Sequence, residues 1–233
     1  MSYLFSPWTF GVRVRCILAG MFFWGGRYTF SEIVHNILES DNFRRTNLAN
    51  ATRIHNRYKV LENAVESTEQ IEGTVAEFGV FEGDTLRFLA THSSSSRKIV
   101  GFDSFKGLPA DWEGLLPKGY FETPVPVFEQ ANISLEIGIF ENTLPKFLEK
   151  METMLSLVHI DCDLYSSTQF VLENIRPHLM CGTIIIFDEY YGYPGWQNHE
   201  YLAWKEFVMK YGISCVAVAY SSHSVSFRIT SLG

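Results

Sequence analysis

The chain has 233 residues, enough for one domain with a substantial core, and its 46% hydrophobic and 19% charged residues are ordinary for a globular α/β protein. Its net charge of −7 gives no reason to expect a nucleic-acid partner. The longest uninterrupted apolar run near the start, residues 16–24, falls well short of the ~20 residues that span a bilayer, so no transmembrane segment is expected.

Charge and cysteine usage add two expectations. Residues 1–60 contain eight basic and three acidic residues, although the chain as a whole is acidic. This asymmetry is compatible with an anionic acceptor or partner, with solvated helix faces, or with contact between the two parts. The four cysteines form no C-x-x-C pair, which is typical of reduced thiols and predicts a cytoplasmic protein.

The first 72 residues have helical periodicity. One helix is expected to begin at Ser31 and a second to cover residues 48–67. We therefore predict a helical cap or lid over residues 1–72, followed by an α/β domain over residues 73–233. Exposed aromatic residues between Tyr3 and Phe30 would suit a homodimer contact.

The α/β pattern starts with a strand at residues 74–79, a glycine-bearing turn and a helix from Leu86. Such a turn lets a ligand touch the backbone, but its G-x-x-x-G spacing lacks the dinucleotide pattern G-x-G-x-x-G. The next strand, residues 98–102, ends in Asp103. A carboxylate there can accept two hydrogen bonds from a ribose diol.

The remaining elements complete a Rossmann-like fold. A loop-rich segment (106–126) is followed by a strand at 133–139, helices at 141–151 and 199–211, and strands at 213–220 and 224–230 that form a hairpin. We predict seven strands in a mostly parallel sheet with a terminal antiparallel hairpin and helices on both faces.

The most informative stretch is a strand–helix–strand unit. Strands at 157–160 and 183–187 flank a helix at 167–180, with Gly182 as its stop signal. Asp161 and Asp163 follow the first strand, and Asp188 and Glu189 follow the second. A right-handed crossover places both strand ends at one edge of the sheet, so these carboxylates are expected to converge. They would then need a cation, although carboxylates after strands also cap helices or face solvent.

Five motifs together resemble the macrocin O-methyltransferase family of class I S-adenosylmethionine-dependent methyltransferases. They read EFGVFEGDT (77–85), GFDSFKGLP (101–109), ENTLP (141–145), HIDCDLYSST (159–168) and FDEYYGYPGW (187–196). The resemblance covers roughly residues 73–230. It implies S-adenosylmethionine as cofactor, a divalent metal ion such as Mg²⁺, and a small sugar-like acceptor with a hydroxyl group.

The same resemblance implies roles for particular residues. Asp161, Asp188 and Glu189 would ligate the metal, with Glu189 in place of the family's second aspartate. Asp161 would also contact the cofactor and remove the acceptor's proton. The other implied cofactor-binding residues are Glu77, Phe78, Gly79, Val80 and Gly83 in the methionine-binding loop, Asp103, Ser104 and Phe105 at the ribose, and Gly138 and Phe140 at the adenine.

Other hypotheses stay open from the sequence. Catechol-type methyltransferases carry a lysine where this chain has Leu164, so His199 and His223 are alternative bases. The chain could also bind S-adenosylmethionine without turnover, in a regulatory role. A dinucleotide oxidoreductase is disfavoured by the absent glycine pattern and by the terminal hairpin.

Overall fold

A computed structural model describes residues 28–112 and 115–233 of the chain, which form a mixed α/β fold around one sheet. The strand order is β1-β7-β8-β6-β5-β2-β3-β4, and only β8 runs antiparallel to its neighbours. The strands are β1 (Thr52–Arg53), β2 (Thr74–Phe78), β3 (Ile99–Asp103), β4 (Ile133–Ile137), β5 (Leu155–Ile160), β6 (Leu179–Phe187), β7 (Ser214–Tyr220) and β8 (Val225–Ser231).

Helices cover both faces of the sheet. They are α1 (Phe30–Asn47), α2 (Arg57–Ser67), α3 (Asp84–His92), α4 (Phe140–Leu148), α5 (Tyr165–Ile175) and α6 (Glu200–Tyr211), with two 3-10 turns at Arg176–His178 and Trp196–Asn198. Apolar residues of α4, α5 and α6 share one core cluster, and those of α2 and α3 share the other. Because β2 and β5 are enclosed on both faces, every residue in them is buried.

The register of the central strands positions the site. Phe78 pairs with Ile160, and Ile160 pairs with Phe187, so β2, β5 and β6 end at the same level. Backbone hydrogen bonds continue one residue further: the Asp161 N–H donates to Phe78 O at 2.9 Å and the Asp188 N–H donates to Ile160 O at 3.0 Å. The predicted adjacency of the strands at 157–160 and 183–187, which are β5 and β6, is confirmed, and Asp161 and Asp188 follow them at one edge of the sheet.

The predicted helix at 167–180 is wrong at its carboxyl end. Helix α5 stops at Ile175 and gives way to a 3-10 turn that contains Pro177, which has no N–H to continue the helix. Leu179 already belongs to β6, which is nine residues long. Gly182 therefore lies inside a strand, with φ +98°, and does not stop a helix.

The predicted helix at 48–67 is wrong over residues 48–56, because only residues 57–67 of that range form a helix. Residues 52–53 form β1, an eighth strand at the sheet edge that the sequence does not predict. Helix α2 then begins after Asn56, whose side chain accepts from the Tyr58 N–H at 2.8 Å and caps the helix.

Two expectations about the N-terminal part stay predictions. The division into a cap over residues 1–72 and a domain over 73–233 is one of them. The homodimer contact is the other, because almost all of residues 3–30 lies outside the described residues. Within the described ranges, no helix is both long and apolar enough to cross a membrane.

Candidate active site

A cavity of about 530 Å³ opens at the carboxyl ends of the parallel strands. Ligands bind at this edge in open α/β sheets, and the volume is in the range of small-molecule sites. We define two parts of the cavity by their lining residues. The cofactor end consists of Gly79, Val80, Gly83, Asp103, Ser104, Gly138 and Phe140, and the acidic end consists of Asp161, Asp163, Asp188 and Glu189.

The cofactor end is built around a turn that requires glycine. Gly79 has φ +93°, and a Cβ atom at this position would lie 1.8 Å from the carbonyl oxygen of Asp161. The chain can therefore pass from β2 to α3 only without a side chain here. Gly83, with φ +83°, caps α3 and leaves the start of this helix at the cavity wall. Helix N-termini offer free N–H groups to ligands.

Asp103 holds this turn in place. Its Oδ2 atom accepts from the N–H groups of Val80 and Phe81, both at 2.8 Å, and its Oδ1 atom accepts from the Phe105 N–H at 2.8 Å. A carboxylate has about four acceptor positions, so Asp103 retains capacity for a ribose hydroxyl. It organises the protein as well as facing the cavity.

Three predicted cofactor residues, Glu77, Phe78 and Phe105, do not line the cavity. Glu77 is fully buried under the site, where its carboxylate accepts from Thr85 Oγ1 at 3.1 Å and pairs with His159 Nδ1 at 3.0 Å. Phe78 is stacked on Phe102 in the core. Contact of these three residues with a cofactor stays a prediction.

The acidic end brings together side chains that are far apart in the sequence. A guanidinium nitrogen of Arg57, Nη1, lies 2.6 Å from Asp188 Oδ2, and Nη2 lies 4.0 Å from Asp161 Oδ2. Asp188 also accepts from Ser224 Oγ at 3.0 Å. Arg57 therefore stands beside two of the three predicted metal ligands.

Beneath the acidic end, a buried histidine lies between two carboxylates. His159 lies between Glu77, at 3.0 Å from Nδ1, and Asp188, at 3.9 Å from Nε2. Burial alone would lower the pKa of His159, but the two carboxylates outweigh it and raise the pKa to about 10. For Asp188, burial opposes ionisation, yet His159, Arg57 and Ser224 bring its pKa below the usual value. The surroundings of Asp188 thus favour its ionised form.

The other carboxylates have the opposite tendency. Burial, followed by the charge of Asp188, raises the pKa of Asp161 well above its usual value. Burial also raises the pKa values of Asp163, Glu189 and Glu200, and the neighbouring carboxylates add to each shift. A carboxylate with a raised pKa is a stronger base, which suits proton removal near neutral pH.

The arrangement does not fit a metal ion as it stands. Carboxylate oxygens are the correct donors for Mg²⁺, and Asp161, Asp188 and Glu189 are at one end of the cavity. However, Arg57 already occupies one Asp188 oxygen and approaches Asp161. Among residues 28–112 and 115–233, no three His, Cys, Asp or Glu side chains are arranged to hold a metal ion.

Sequence reasoning missed three residues that shape the acidic end. In the sequence, Arg57 is one of eight basic residues in a basic segment, and His159 lies within a predicted core strand. Glu200 lies at the start of a predicted helix, where exposure is expected. Glu200 is fully buried and its Oε2 accepts from the Glu189 N–H at 3.2 Å. One signal was available: a histidine inside the apolar run 157–160 needs a buried partner.

Known proteins with a similar sequence include methyltransferases. Residues 76–190 match the family model described as a methyltransferase domain. A curated relative from Streptomyces olivaceus, an 8-demethyl-8-(2,3-dimethoxy-alpha-L-rhamnosyl)-tetracenomycin-C 4'-O-methyltransferase, is 30% identical over 56% of this chain. The alignment spans 58% of that relative's length.

Solved structures show the same fold. The calicheamicin methyltransferase CalS11 superposes with a TM-score of 0.63 at 23% identity, covering 96% of this chain and 93% of that one. An O-methyltransferase from Bacillus cereus, solved with SAH, has a TM-score of 0.51 at 14% identity and covers 84% and 91%. Residues 76–190 are therefore similar in sequence to a methyltransferase domain, and the chain has the fold of the solved methyltransferases.

Proposed function

We propose that this protein transfers a methyl group from S-adenosylmethionine to a hydroxyl group of a small, sugar-like acceptor. One observation carries the proposal: a single cavity is lined both by a glycine turn with Asp103 and by a cluster of carboxylates. The first is suited to a nucleoside cofactor and the second to removing a proton. A protein that only binds the cofactor has no need for the second.

The cofactor end supplies the binding groups. Gly79 and Gly83 let the ligand approach the backbone, Asp103 offers carboxylate oxygens to ribose hydroxyls, and Phe140 offers an apolar ring beside Gly138. S-adenosylmethionine supplies, when bound, a methyl group activated by a positively charged sulfur. The cofactor's contacts with the remaining predicted residues are part of this proposal.

Asp161 acts as the base in this proposal. The O–H bond of the acceptor breaks, its proton passes to the Asp161 carboxylate, and the oxygen's electron pair forms the new bond to carbon. The bond between carbon and sulfur breaks at the same time, with its electron pair left on sulfur. The raised pKa of Asp161 makes it a better proton acceptor than an exposed carboxylate.

The acceptor class follows from the relative and from the cavity wall. The Streptomyces olivaceus relative is named for methylation at a 4' oxygen of a rhamnosyl-tetracenomycin. Trp112 and Phe121 line the cavity here, and aromatic rings pack well against sugar faces. We therefore propose a glycoside or another polyhydroxylated molecule.

Metal dependence, cytoplasmic location and the absence of a nucleic-acid partner stay predictions. Metal binding by Asp161, Asp188 and Glu189 is supported by their convergence and opposed by the position of Arg57. No step above depends on it.

The test is a two-part assay. Calorimetric titration with S-adenosylhomocysteine, with and without Mg²⁺, measures cofactor binding. Incubation with S-adenosylmethionine and a panel of deoxysugar glycosides, followed by mass spectrometry, detects a product heavier by one methylene group. Binding without any product across the panel supports the binding-only alternative, and the absence of binding contradicts both.

A further inference from the structure

Arg57 is the one cation whose side chain enters the acidic end from the N-terminal part of the described chain. It is the first residue of α2, and its side chain lies over the Tyr58 ring with the Cζ atom 5.5 Å from the ring centroid. From there Nη1 contacts Asp188 at 2.6 Å and Nη2 lies 4.0 Å from Asp161. Two of the three carboxylates that the family resemblance assigns to a metal thus face a guanidinium group.

The fold fixes this position. The residues before Arg57 pair with β7 through β1, and the Ile54 N–H donates to Tyr220 O at 2.8 Å. The residues after it bury Val60 and Leu61 against the sheet. Arg57 is therefore anchored on both sides.

Both carboxylate oxygens of Asp188 already have hydrogen-bond partners. Arg57 and Ser224 each contact one of its carboxylate oxygens, and His159 lies 3.9 Å from Oδ1. A metal ion would have to displace the guanidinium, which carries the same kind of compensating charge and is protonated at any working pH. Arg57 therefore already supplies the positive charge that a metal ion would bring to the Asp188 carboxylate.

We propose that Arg57 is the resident cation of the acidic end, and that it orients Asp161 and Asp188 so that the enzyme works without a divalent metal. The inference rests on the proposed methyl transfer for its activity readout. It makes Arg57 a positioning residue, since its contacts are with the carboxylates. It also predicts that removing Arg57 creates a metal site that the natural chain lacks.

The experiment compares metal binding and turnover in four proteins: the natural chain, Arg57→Ala, Arg57→Lys and the control Arg53→Ala. Arg53 is an exposed arginine four residues earlier, and its side chain is away from the cavity. Mn²⁺ titration, monitored by electron paramagnetic resonance, measures metal binding and does not depend on enzymatic turnover. Turnover is measured after dialysis against EDTA, then with Mg²⁺ added.

We expect the natural chain and Arg53→Ala to keep full turnover after EDTA. Turnover by Arg57→Ala should fall about 100-fold, because the carboxylates of Asp161 and Asp188 repel each other when no cation lies beside them. This variant should also bind Mn²⁺ about tenfold more tightly than the natural chain. Added Mg²⁺ should restore part of its turnover. Arg57→Lys keeps the charge and should fall between Arg57→Ala and the natural chain.

Two results would overturn the inference: loss of turnover in the natural chain after EDTA with recovery on Mg²⁺, or Mn²⁺ binding by the natural chain as tight as by Arg57→Ala. If Arg57→Ala does not fold, judged by its thermal transition, Arg57→Gln takes its place in the Mn²⁺ titration. If no protein turns over any acceptor, the proposed function fails, whereas the Mn²⁺ titration still decides whether Arg57 excludes the metal.

Discussion

The two ends of the cavity are built from different parts of the polypeptide. The cofactor end is mostly backbone: a glycine turn, the start of α3, and N–H groups organised by Asp103. The acidic end is made of carboxylates that directly follow β5 and β6, and Arg57 at the start of α2 pairs with Asp188, 131 positions away. Backbone sites tolerate change in side chains, whereas the acidic end depends on each charge and its partner.

The difference predicts separable defects, and the largest concerns the acidic end alone. Asp161→Asn removes the proposed base while keeping the side chain's shape, so turnover should fall about 10²–10⁴-fold. S-adenosylhomocysteine affinity should change by less than about threefold, because the cofactor end keeps its backbone groups. Steady-state assays and calorimetry measure the two effects. Equal losses in both would show that the ends are not independent.

The next prediction concerns Gly79, which lies against the backbone of Asp161 and so links the two parts of the cavity. In Gly79→Ala the new Cβ would collide with the Asp161 carbonyl oxygen at 1.8 Å, at a φ of +93°. We expect the free energy of unfolding to fall by more than about 3 kcal/mol. Gly195→Ala is the control, since its φ is +82° but no atom lies within 4 Å of the added Cβ. It should cost only about 1 kcal/mol in urea unfolding, for backbone strain alone.

A third prediction is confined to the cofactor end. Asp103→Asn loses the charge that holds the Val80 and Phe81 N–H groups. Hydrogen bonds to a charged acceptor are worth about 1.5–3 kcal/mol, so S-adenosylhomocysteine should bind about tenfold or more weakly. Asp111→Asn, which removes a carboxylate bonded to the Lys118 N–H in the loop over the cavity, is the matched control. Calorimetry that shows equal losses for both variants would contradict the role of Asp103.

The smallest expected effect is a pH dependence of stability. The pKa of His159 is raised to about 10 in the folded chain, against 6.5 as its ordinary value. Protonated His159 therefore stabilises the fold fully below pH 6.5, and this contribution disappears as the pH rises toward 10. The free energy of unfolding lost in His159→Gln should be greater at pH 6 than at pH 9.

His178 provides the comparison for that measurement. It lies in a 3-10 turn away from the cavity, and burial lowers its pKa. The stability difference between the natural chain and His178→Gln should not shrink over the same pH interval. A His159→Gln difference that does not shrink as the pH rises would show that the folded chain does not raise the pKa of His159.

The strand ends that line both parts of the cavity are predictable from the sequence for a physical reason. The strands 74–78 and 99–103, the glycines between them and Asp103 are near in sequence, and their patterns are local. The convergence of Asp161 and Asp188 was also predictable, because two parallel strands joined by a helix must end at one edge. Topology alone fixes those two carboxylates.

Arg57, His159 and Glu200 escaped prediction because their roles depend on contacts that no local pattern records. Glu200 looks like an ordinary first-turn residue of a helix, yet it is fully buried. Arg57 lay within a segment predicted as a continuous helix, and its partner Asp188 is 131 residues away. The two-residue strand β1 is too short to give a sequence signal.

That short strand has a consequence for how the protein is made. Its partner β7 occupies residues 214–220, and β7 itself is joined to the sheet through β8. During synthesis, the segment that carries Arg57 has no edge to pair with until more than 150 further residues have left the ribosome. The segment that carries Arg57 can therefore take its place at the sheet edge only after the glycine turn at residues 79–83 has left the ribosome.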